Sequence, residues 1–86
     1  MTPIKETITR ILEEKLALDK ADIKDDARFY DDLGVDSLDF VEMIVEVEKT
    51  FNINIPDDEY ERLKNVGSLV NYVTKKVSRQ RVPQMA

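Results

Sequence analysis

Apolar side chains recur every three or four residues in several separate segments of this chain, which is the spacing of amphipathic helices, and we predict no strand. The first segment predicts a helix from about Pro3 to Leu16, with Thr2 as its N-cap residue. A second segment predicts a helix from about Ser37 to Phe51. This spacing restricts the chain to helices that pack on helices.

Two further helices are predicted in the C-terminal half. Pro56 and the acidic residues after it predict a short third helix that ends near Leu63, because carboxylates suit the positive end of a helix. Asn65 can cap a fourth helix, in which apolar residues recur as far as Val77. We therefore expect an all-α fold, a small four-helix bundle of three longer helices and one short helix, with a long loop between helices 1 and 2.

The chain has 86 residues, which suits one small domain with a limited core. We assign this domain to residues 1–78 and expect residues 79–86, which have no apolar period, to form a mobile C-terminal tail. In the loop of residues 17–36, scattered apolar residues are expected to hold the chain against the core. Gly34 can supply a backbone conformation there that a side chain would resist.

The charges are distributed unevenly along the chain, although the net charge is only −5. Residues 19–61 contain 15 acidic and 4 basic side chains, whereas residues 62–86 contain 6 basic and no acidic ones. The acidic block repels nucleic acid and anionic lipid and attracts basic protein patches. No apolar run approaches the about 18 residues of a membrane span, and the N-terminus has no signal-peptide core. We expect a monomeric, cytoplasmic protein that neither binds nucleic acid nor inserts into a membrane.

The predicted second helix has a polar stripe and an apolar face. The stripe consists of Asp39, Glu42, Glu46, Lys49 and Thr50. The opposite, core-facing side consists of Phe40, Val41, Ile44, Val47 and Phe51. Leu38 and Val45 lie on one margin of the stripe and Met43 on the other, where a side chain is only partly covered. Glu48 projects into the apolar arc without an evident reason.

Three acidic residues of the stripe are neighbours three or four positions apart, and each such pair costs about 0.2–0.5 kcal/mol of helix stability. A chain selected for stability alone would alternate the signs, so this is a place where function is expected. The stripe and the apolar residues at its edge predict a surface that basic partners bind. The predicted partner-binding residues are Asp36, Leu38, Asp39, Glu42, Val45 and Glu46.

Ser37 stands at the start of this helix, in the segment Gly34-Val35-Asp36-Ser37-Leu38. The chain contains no histidine and no cysteine, so the serine lacks the base that an autonomous nucleophile needs. We therefore predict no catalytic residue. A serine in this position is often a helix cap. Asp36 can cap instead, with Asp39 as the acid of a capping box, which leaves the Ser37 hydroxyl free for modification by another protein.

The segment Leu33-Gly34-x-Asp36-Ser37-Leu38-Asp39 resembles the attachment site of acyl carrier proteins, the small helical domains that carry 4'-phosphopantetheine on the serine of a Gly-x-Asp-Ser-Leu motif. The resemblance covers nearly all of residues 4–77. It continues through Val41-Glu42 to Phe51, Ile55-Pro56-Asp57, Val66 and the region of Tyr72.

The resemblance implies that a phosphopantetheinyl transferase attaches 4'-phosphopantetheine covalently to Ser37, with coenzyme A as donor and a divalent metal. The arm then carries acyl groups as thioesters to fatty-acid biosynthesis enzymes, which bind the acidic face through basic patches. The protein itself is then not an enzyme. Lys49 and Thr50 depart from the more acidic helix of typical fatty-acid carriers. The residues that could line an acyl pocket between the helices are Phe40, Ile44, Val47, Ile55, Val66 and Leu69.

Two alternatives remain open at this point. The protein can serve a polyketide or other specialised acyl pathway with the same chemistry, or it can act as an unmodified acidic helical adaptor. A calcium sensor is disfavoured, because the aspartates near Gly34 do not match the ligand spacing of an EF-hand loop. We predict no metal site.

Overall fold

A computed structural model describes residues 3–81, with side chains as far as Arg79. It contains three α-helices, α1 (Ile4–Leu16), α2 (Ser37–Phe51) and α3 (Val66–Arg81), and two 3₁₀ helices (Lys20–Asp22 and Asp57–Arg62). Within residues 3–81 there is no strand, and an isolated bridge joins Arg28 to Asn65. The predicted all-α fold with three longer helices and a short third helix is confirmed, and the additional 3₁₀ helix Lys20–Asp22 lies inside the predicted long first loop.

The helix ends follow from local side-chain chemistry. Ala17 and Asn52, the residues after α1 and α2, both adopt the left-handed conformation that ends a helix, with φ of 53° and 55°. Asn65 caps α3 as predicted, because its Oδ1 accepts from the Ser68 N–H at 2.8 Å and the Ser68 Oγ accepts from the Asn65 N–H at 3.2 Å. Pro3 occupies the N-cap position of α1, and the predicted cap Thr2 lies outside the described residues.

Two predicted boundaries differ from the structure. The short third helix is a 3₁₀ helix of six residues, Asp57–Arg62, and Pro56 precedes it rather than beginning it. α3 continues to Arg81, so the predicted boundary between domain and tail, after residue 78, falls inside a helix. The helix extends beyond its last apolar position, because backbone hydrogen bonds do not require apolar side chains. The spacing of apolar residues therefore does not predict where this helix ends. The rest of the predicted tail, residues 82–86, lies outside the described residues.

The core forms between α1, α2, α3 and the long loop. Loop residues Ile23, Ala27, Phe29 and Val35 are all buried, which confirms that apolar residues hold this loop against the core. Its backbone also pairs with the start of α3. The Gly67 N–H donates to the Asp25 carbonyl at 2.7 Å, and the Val66 N–H donates to the Ala27 carbonyl at 3.0 Å. The loop therefore has a fixed path from α1 to α2.

The buried face of α2 is rotated from the predicted one. Phe40, Met43, Ile44 and Val47 are buried, whereas Val41, which we expected in the core, is 41% exposed. Met43, which we expected at a margin, is fully buried. The position of the neighbouring helices decides which part of the apolar arc is covered, so the core follows the spacing 40, 43, 44, 47 and leaves Val41 on the surface.

Candidate functional site

Ser37 is the first residue of α2, and the structure places its side chain at the surface. Asp36, just before it, is the N-cap: its Oδ1 accepts a hydrogen bond from the Asp39 N–H at 2.8 Å. Between residues 3 and 81 the Ser37 hydroxyl has no hydrogen-bond partner. The predicted division, in which Asp36 caps the helix and Ser37 stays free, is confirmed.

The capping box that we considered at this helix start is only half formed. The Asp36 carboxylate binds the Asp39 N–H, but among the described residues the Asp39 carboxylate makes no return bond to the Asp36 N–H. A single well-placed acceptor is sufficient to cap a helix. The Asp39 side chain is half-buried and keeps its charge available at the surface of the first turn.

The backbone before Ser37 is fixed on both sides of Gly34. Gly34 adopts a left-handed conformation with φ of 67°, which an L side chain rarely takes, so the prediction for this glycine is confirmed. The next residue, Val35, is buried, and its N–H donates to the Phe29 carbonyl at 2.9 Å. Ser37 therefore follows a glycine turn and an anchored valine, which set its direction before the helix begins.

Arg28 organises the acidic residues that precede this turn. Its backbone N–H and its Nε both donate to Asp32 Oδ2, at 2.8 and 3.1 Å, and its Nη1 lies 3.4 Å from Asp31. The side-chain and backbone hydrogen bonds from Arg28 lower the pKa of Asp32, and the side-chain bond and the nearby carboxylates raise the pKa of Arg28. All three side chains are exposed, so this cluster shapes the turn more than it stabilises the fold.

The predicted partner-binding residues form one surface along α2, but they are not equivalent. Leu38 is 68% exposed and Val45 is 39% exposed. Val41 lies with them, so the apolar part of this surface has three members rather than the predicted two. The i, i+3, i+7 spacing of Leu38, Val41 and Val45 places these residues on one side of α2, but it does not say that this side is exposed.

The acidic members of the surface also differ from one another. Glu46 lies 3.6 Å from Lys15 of α1, so part of its charge is already paired. Within residues 3–81, Asp39 and Glu42 have no such ion pair. The unpaired negative charge on α2 is therefore concentrated near Ser37, at the N-terminal end of the helix.

Glu48, the misfit on the helical wheel, has a structural role. Its Oε2 accepts a hydrogen bond from the Ile55 N–H at 2.8 Å, in a partly buried position. The bond holds the chain that leaves α2 against the helix end and brings Ile55 into the core. A carboxylate is tolerated on the apolar side of α2 because the Ile55 N–H needs a hydrogen-bond acceptor at this partly buried position.

The six predicted acyl-pocket residues are all buried in the hydrophobic core, which brings them together. The ring of Phe40 also contacts three other aromatic rings, with centroid distances of 5.6 Å to Phe29, 5.8 Å to Tyr30 and 5.4 Å to Tyr60. A surface groove of about 420 Å³ lies beside this cluster and is lined in part by Tyr30, Phe40 and Tyr60. Phe40, one of its lining residues, follows Ser37 by three positions in α2.

The site can hold a phosphodiester on Ser37. The hydroxyl is exposed and unbonded, and it lies at a helix N-terminus, where backbone N–H groups and the helix dipole favour an anion. Asp36 and Asp39 oppose a negative group there, but the solvent-exposed position weakens their repulsion. Among the residues that the structure describes, no cluster of metal-ligating side chains was found, and no helix is long and apolar enough to cross a membrane.

Comparison with known proteins agrees with this geometry. The family model described as "Phosphopantetheine attachment site" matches residues 6–73. The chain is 45% identical over 73 residues to an acyl carrier protein of Chloroherpeton thalassium, covering 85% of this chain and 91% of that protein. It is 42% identical over 78 residues to one of Amoebophilus asiaticus (91% and 98%) and 43% identical over 75 residues to one of Guillardia theta (87% and 93%).

Proposed function

The chain belongs to the acyl carrier proteins, the family with a phosphopantetheine attachment site, and from this premise we propose that Ser37 is the residue that holds the arm. The protein is a non-catalytic carrier, and its 4'-phosphopantetheine group supplies the thiol on which acyl groups travel as thioesters. The observation that supports Ser37 is its free, exposed hydroxyl at the start of a helix that Asp36 already caps.

Because Asp36 caps the helix, the Ser37 hydroxyl stays available for modification. If Ser37 were the cap, its oxygen would bind the helix N–H groups, and modification would cost the helix its first stabilising contact. With Asp36 as the cap, the helix keeps that contact when Ser37 is modified. The left-handed Gly34 and the buried Val35 fix the backbone before Ser37, which supports presentation of its hydroxyl to a transferase.

The α2 surface supports binding by the enzymes that modify and use the carrier. We propose that a phosphopantetheinyl transferase and acyl-chain synthesis enzymes bind Asp36, Asp39, Glu42 and Glu46 through basic patches, and bind Leu38, Val41 and Val45 through apolar ones. Exposed ion pairs contribute only about 0–1 kcal/mol each, which suits a carrier that must dissociate after each transfer.

The groove beside Phe40 is the proposed entrance for an acyl chain. Its apolar side is formed by Tyr30, Phe40, Tyr60 and Leu63, and Phe40 also belongs to the core that contains the other predicted pocket residues. Because these residues are packed together in this structure, an acyl chain can enter only if the core opens beside Phe40. Chain length is then limited by how far Ile44, Val47 and Leu69 can separate.

Fatty-acid biosynthesis is the usual pathway of this family, and we propose it for this protein. Polyketide and other specialised carriers use the same attachment chemistry, so the acyl groups must be identified directly. Mass spectrometry of the carrier isolated from its native cells is expected to show saturated and 3-oxo fatty acyl groups. Branched or aromatic polyketide intermediates in their place would assign the protein to a specialised pathway. Its cytoplasmic location and monomeric state stay predictions.

The attachment test uses the three serines of the chain, Ser37, Ser68 and Ser78. Purified protein is incubated with coenzyme A, Mg²⁺ and a broad-specificity phosphopantetheinyl transferase, and its mass is measured. We expect the wild type and the control Ser78→Ala to gain the mass of one arm, and Ser37→Ala to gain none. An unmodified wild type, or a modified Ser37→Ala variant, would contradict the proposal.

A further inference from the structure

A second groove lies between the 3₁₀ helix Asp57–Arg62 and α3, and its volume is about 410 Å³. None of the residues that line it belongs to α2. Four of its lining side chains are cationic: Arg62 from the 3₁₀ helix and Lys75, Lys76 and Arg79 from α3. Glu59 is its single acidic lining residue. A protein with a net charge of −5 therefore concentrates positive charge in one concave place.

None of these cations forms an ion pair within the described part of the chain. Among the described residues, the ion pairs involve Lys5, Lys15 and Arg28. Lys76 instead lies over the ring of Tyr72, with Nζ 5.4 Å from the ring centroid. Lysines and arginines gathered in one groove repel one another, so their placement together without internal partners indicates an external anion.

Tyr72 forms the wall of the groove and adds a buried polar atom to it. Its hydroxyl is inaccessible to solvent and makes no hydrogen bond of acceptable geometry within residues 3–81. Burial and the nearby Glu59 carboxylate raise the pKa of Tyr72 to about 12, so the hydroxyl keeps its proton at neutral pH.

We propose that this groove, which we call the α3 groove, is a second docking surface, and that its ligand is a short acidic segment of a partner protein. Three or four carboxylates close together match the four cations in number. An extended polyanion fits less well, because double-stranded DNA, for example, has one charge about every 1.7 Å and would extend past the groove onto acidic surface. Residues 19–61, with 15 acidic and 4 basic side chains, would repel it.

The α3 groove is separate from the surface that presents Ser37. The α2 surface is acidic and attracts basic patches, while the α3 groove is basic and attracts acidic ones. A carrier can therefore remain tethered to one partner through α3 while α2 is released by another. This role is independent of the arm, so the groove is expected to bind its ligand equally well in the unmodified protein.

The test measures binding of a fluorescein-labelled octapeptide of alternating aspartate and glutamate by fluorescence anisotropy at an ionic strength of about 0.1 M, where exposed charges more than about 10 Å apart are largely screened. An octapeptide of asparagine and glutamine is the neutral control. We expect the full-length wild type to bind the acidic peptide. We expect Lys75→Glu/Arg79→Glu to bind it with a Kd at least about tenfold higher. The control Lys20→Glu/Lys49→Glu has the same change in net charge outside the groove, and we expect its Kd to stay within about twofold of wild type.

A second groove variant, Lys75→Gln/Arg79→Gln, is included because reversed charges could disturb α3, and it too is expected to weaken binding. Ser37→Ala is expected to bind as the wild type does. Equal weakening by the groove and control variants, no weakening by either groove variant, or equal binding of the neutral peptide would overturn the proposal. Tighter binding of inorganic polyphosphate or phosphatidylglycerol vesicles, lost in the same groove variants, would overturn the choice of an acidic protein segment.

Discussion

Asp36 accepts a hydrogen bond from the Asp39 backbone N–H at 2.8 Å, so the cap of α2 does not depend on the hydroxyl of Ser37, which lies between these two residues. The hydroxyl of Ser37 is exposed and unbonded within the described part of the chain. The acidic residues on either side of the motif serine thus have different roles, since Asp36 holds the helix end and Asp39 contributes charge to the surface.

This relationship predicts stability effects of different size for two neighbouring substitutions. Asp36→Ala removes the cap of α2 and is expected to lower the free energy of unfolding by about 1 kcal/mol. Ser37→Ala removes no hydrogen bond and is expected to change it by less than about 0.5 kcal/mol. Urea unfolding followed by circular dichroism measures both. A larger loss for Ser37→Ala than for Asp36→Ala would show that the serine is the cap.

Glu48 is expected to contribute to stability through its bond to the Ile55 N–H. Glu48→Ala leaves a partly buried donor without an acceptor and is expected to lower the free energy of unfolding by about 1–3 kcal/mol. Glu48→Gln keeps an acceptor oxygen and is expected to lose less than half of that amount. The same urea experiment compares the two variants, and equal losses would mean that the hydrogen bond is not the cause.

Gly67 is expected to tolerate no side chain. A Cβ at this position would lie 2.9 Å from the Asp25 carbonyl oxygen, which also accepts the 2.7 Å bond from the Gly67 N–H. Gly67→Ala must therefore move the long loop or break its bond to α3, and the expected loss is about 1–3 kcal/mol in the free energy of unfolding. Asn71→Ala, at an exposed position of the same helix, serves as the control. Thermal unfolding of both variants checks this, and a Gly67→Ala protein as stable as the control would refute it.

The Asp32 carboxylate predicts a pH-dependent contribution to stability. Hydrogen bonds from Arg28 lower the pKa of Asp32 below its ordinary value of 3.8, so the folded state favours the ionised form. The contribution is present above pH 3.8 and is lost as the pH falls through the lower folded-state pKa. The stability difference between wild type and Asp32→Asn is therefore expected to be constant from neutral to mildly acidic pH and to shrink below it.

Because Asp32 and Arg28 are exposed, the size of this difference is expected to be small and to decrease with added salt. Urea unfolding at a series of pH values measures it. Asp26→Asn is the control, since Asp26 is also exposed in the same loop and makes no ion pair within residues 3–81. A difference that grows as the pH falls would contradict the assigned direction.

Leu38 is expected to affect recognition without affecting the fold. Its side chain is 68% exposed beside Ser37, so Leu38→Ala removes little buried surface. We expect an unchanged midpoint of unfolding and a several-fold lower kcat/KM for a phosphopantetheinyl transferase, since loss of an exposed apolar contact costs about 1 kcal/mol. Thr50→Ala, on the same helix but far from Ser37, is expected to leave kcat/KM unchanged. Equal rates for both variants would show that Leu38 is not contacted.

Much of the fold and of the attachment segment could be predicted from local sequence patterns. The three long helices, the caps Asp36 and Asn65 and the left-handed Gly34 depend on residues close together in sequence, and each was predicted correctly. The exposure of Val41 and the burial of Met43 could not be predicted in this way. Helical periodicity gives the angle between two side chains on a helix, but it does not say where the neighbouring helices lie.

The sequence by itself determined that this chain forms a small helical carrier with a serine at the start of its second helix, because helix periods, caps and the Gly-x-Asp-Ser-Leu segment are local features. Only the tertiary structure decided that Glu48 binds the Ile55 N–H, that Lys15 neutralises part of Glu46, and that Arg62 joins the cations of α3 in one groove. These contacts join residues from different elements. They depend on how the helices and loops pack together, and no short segment of sequence records that packing.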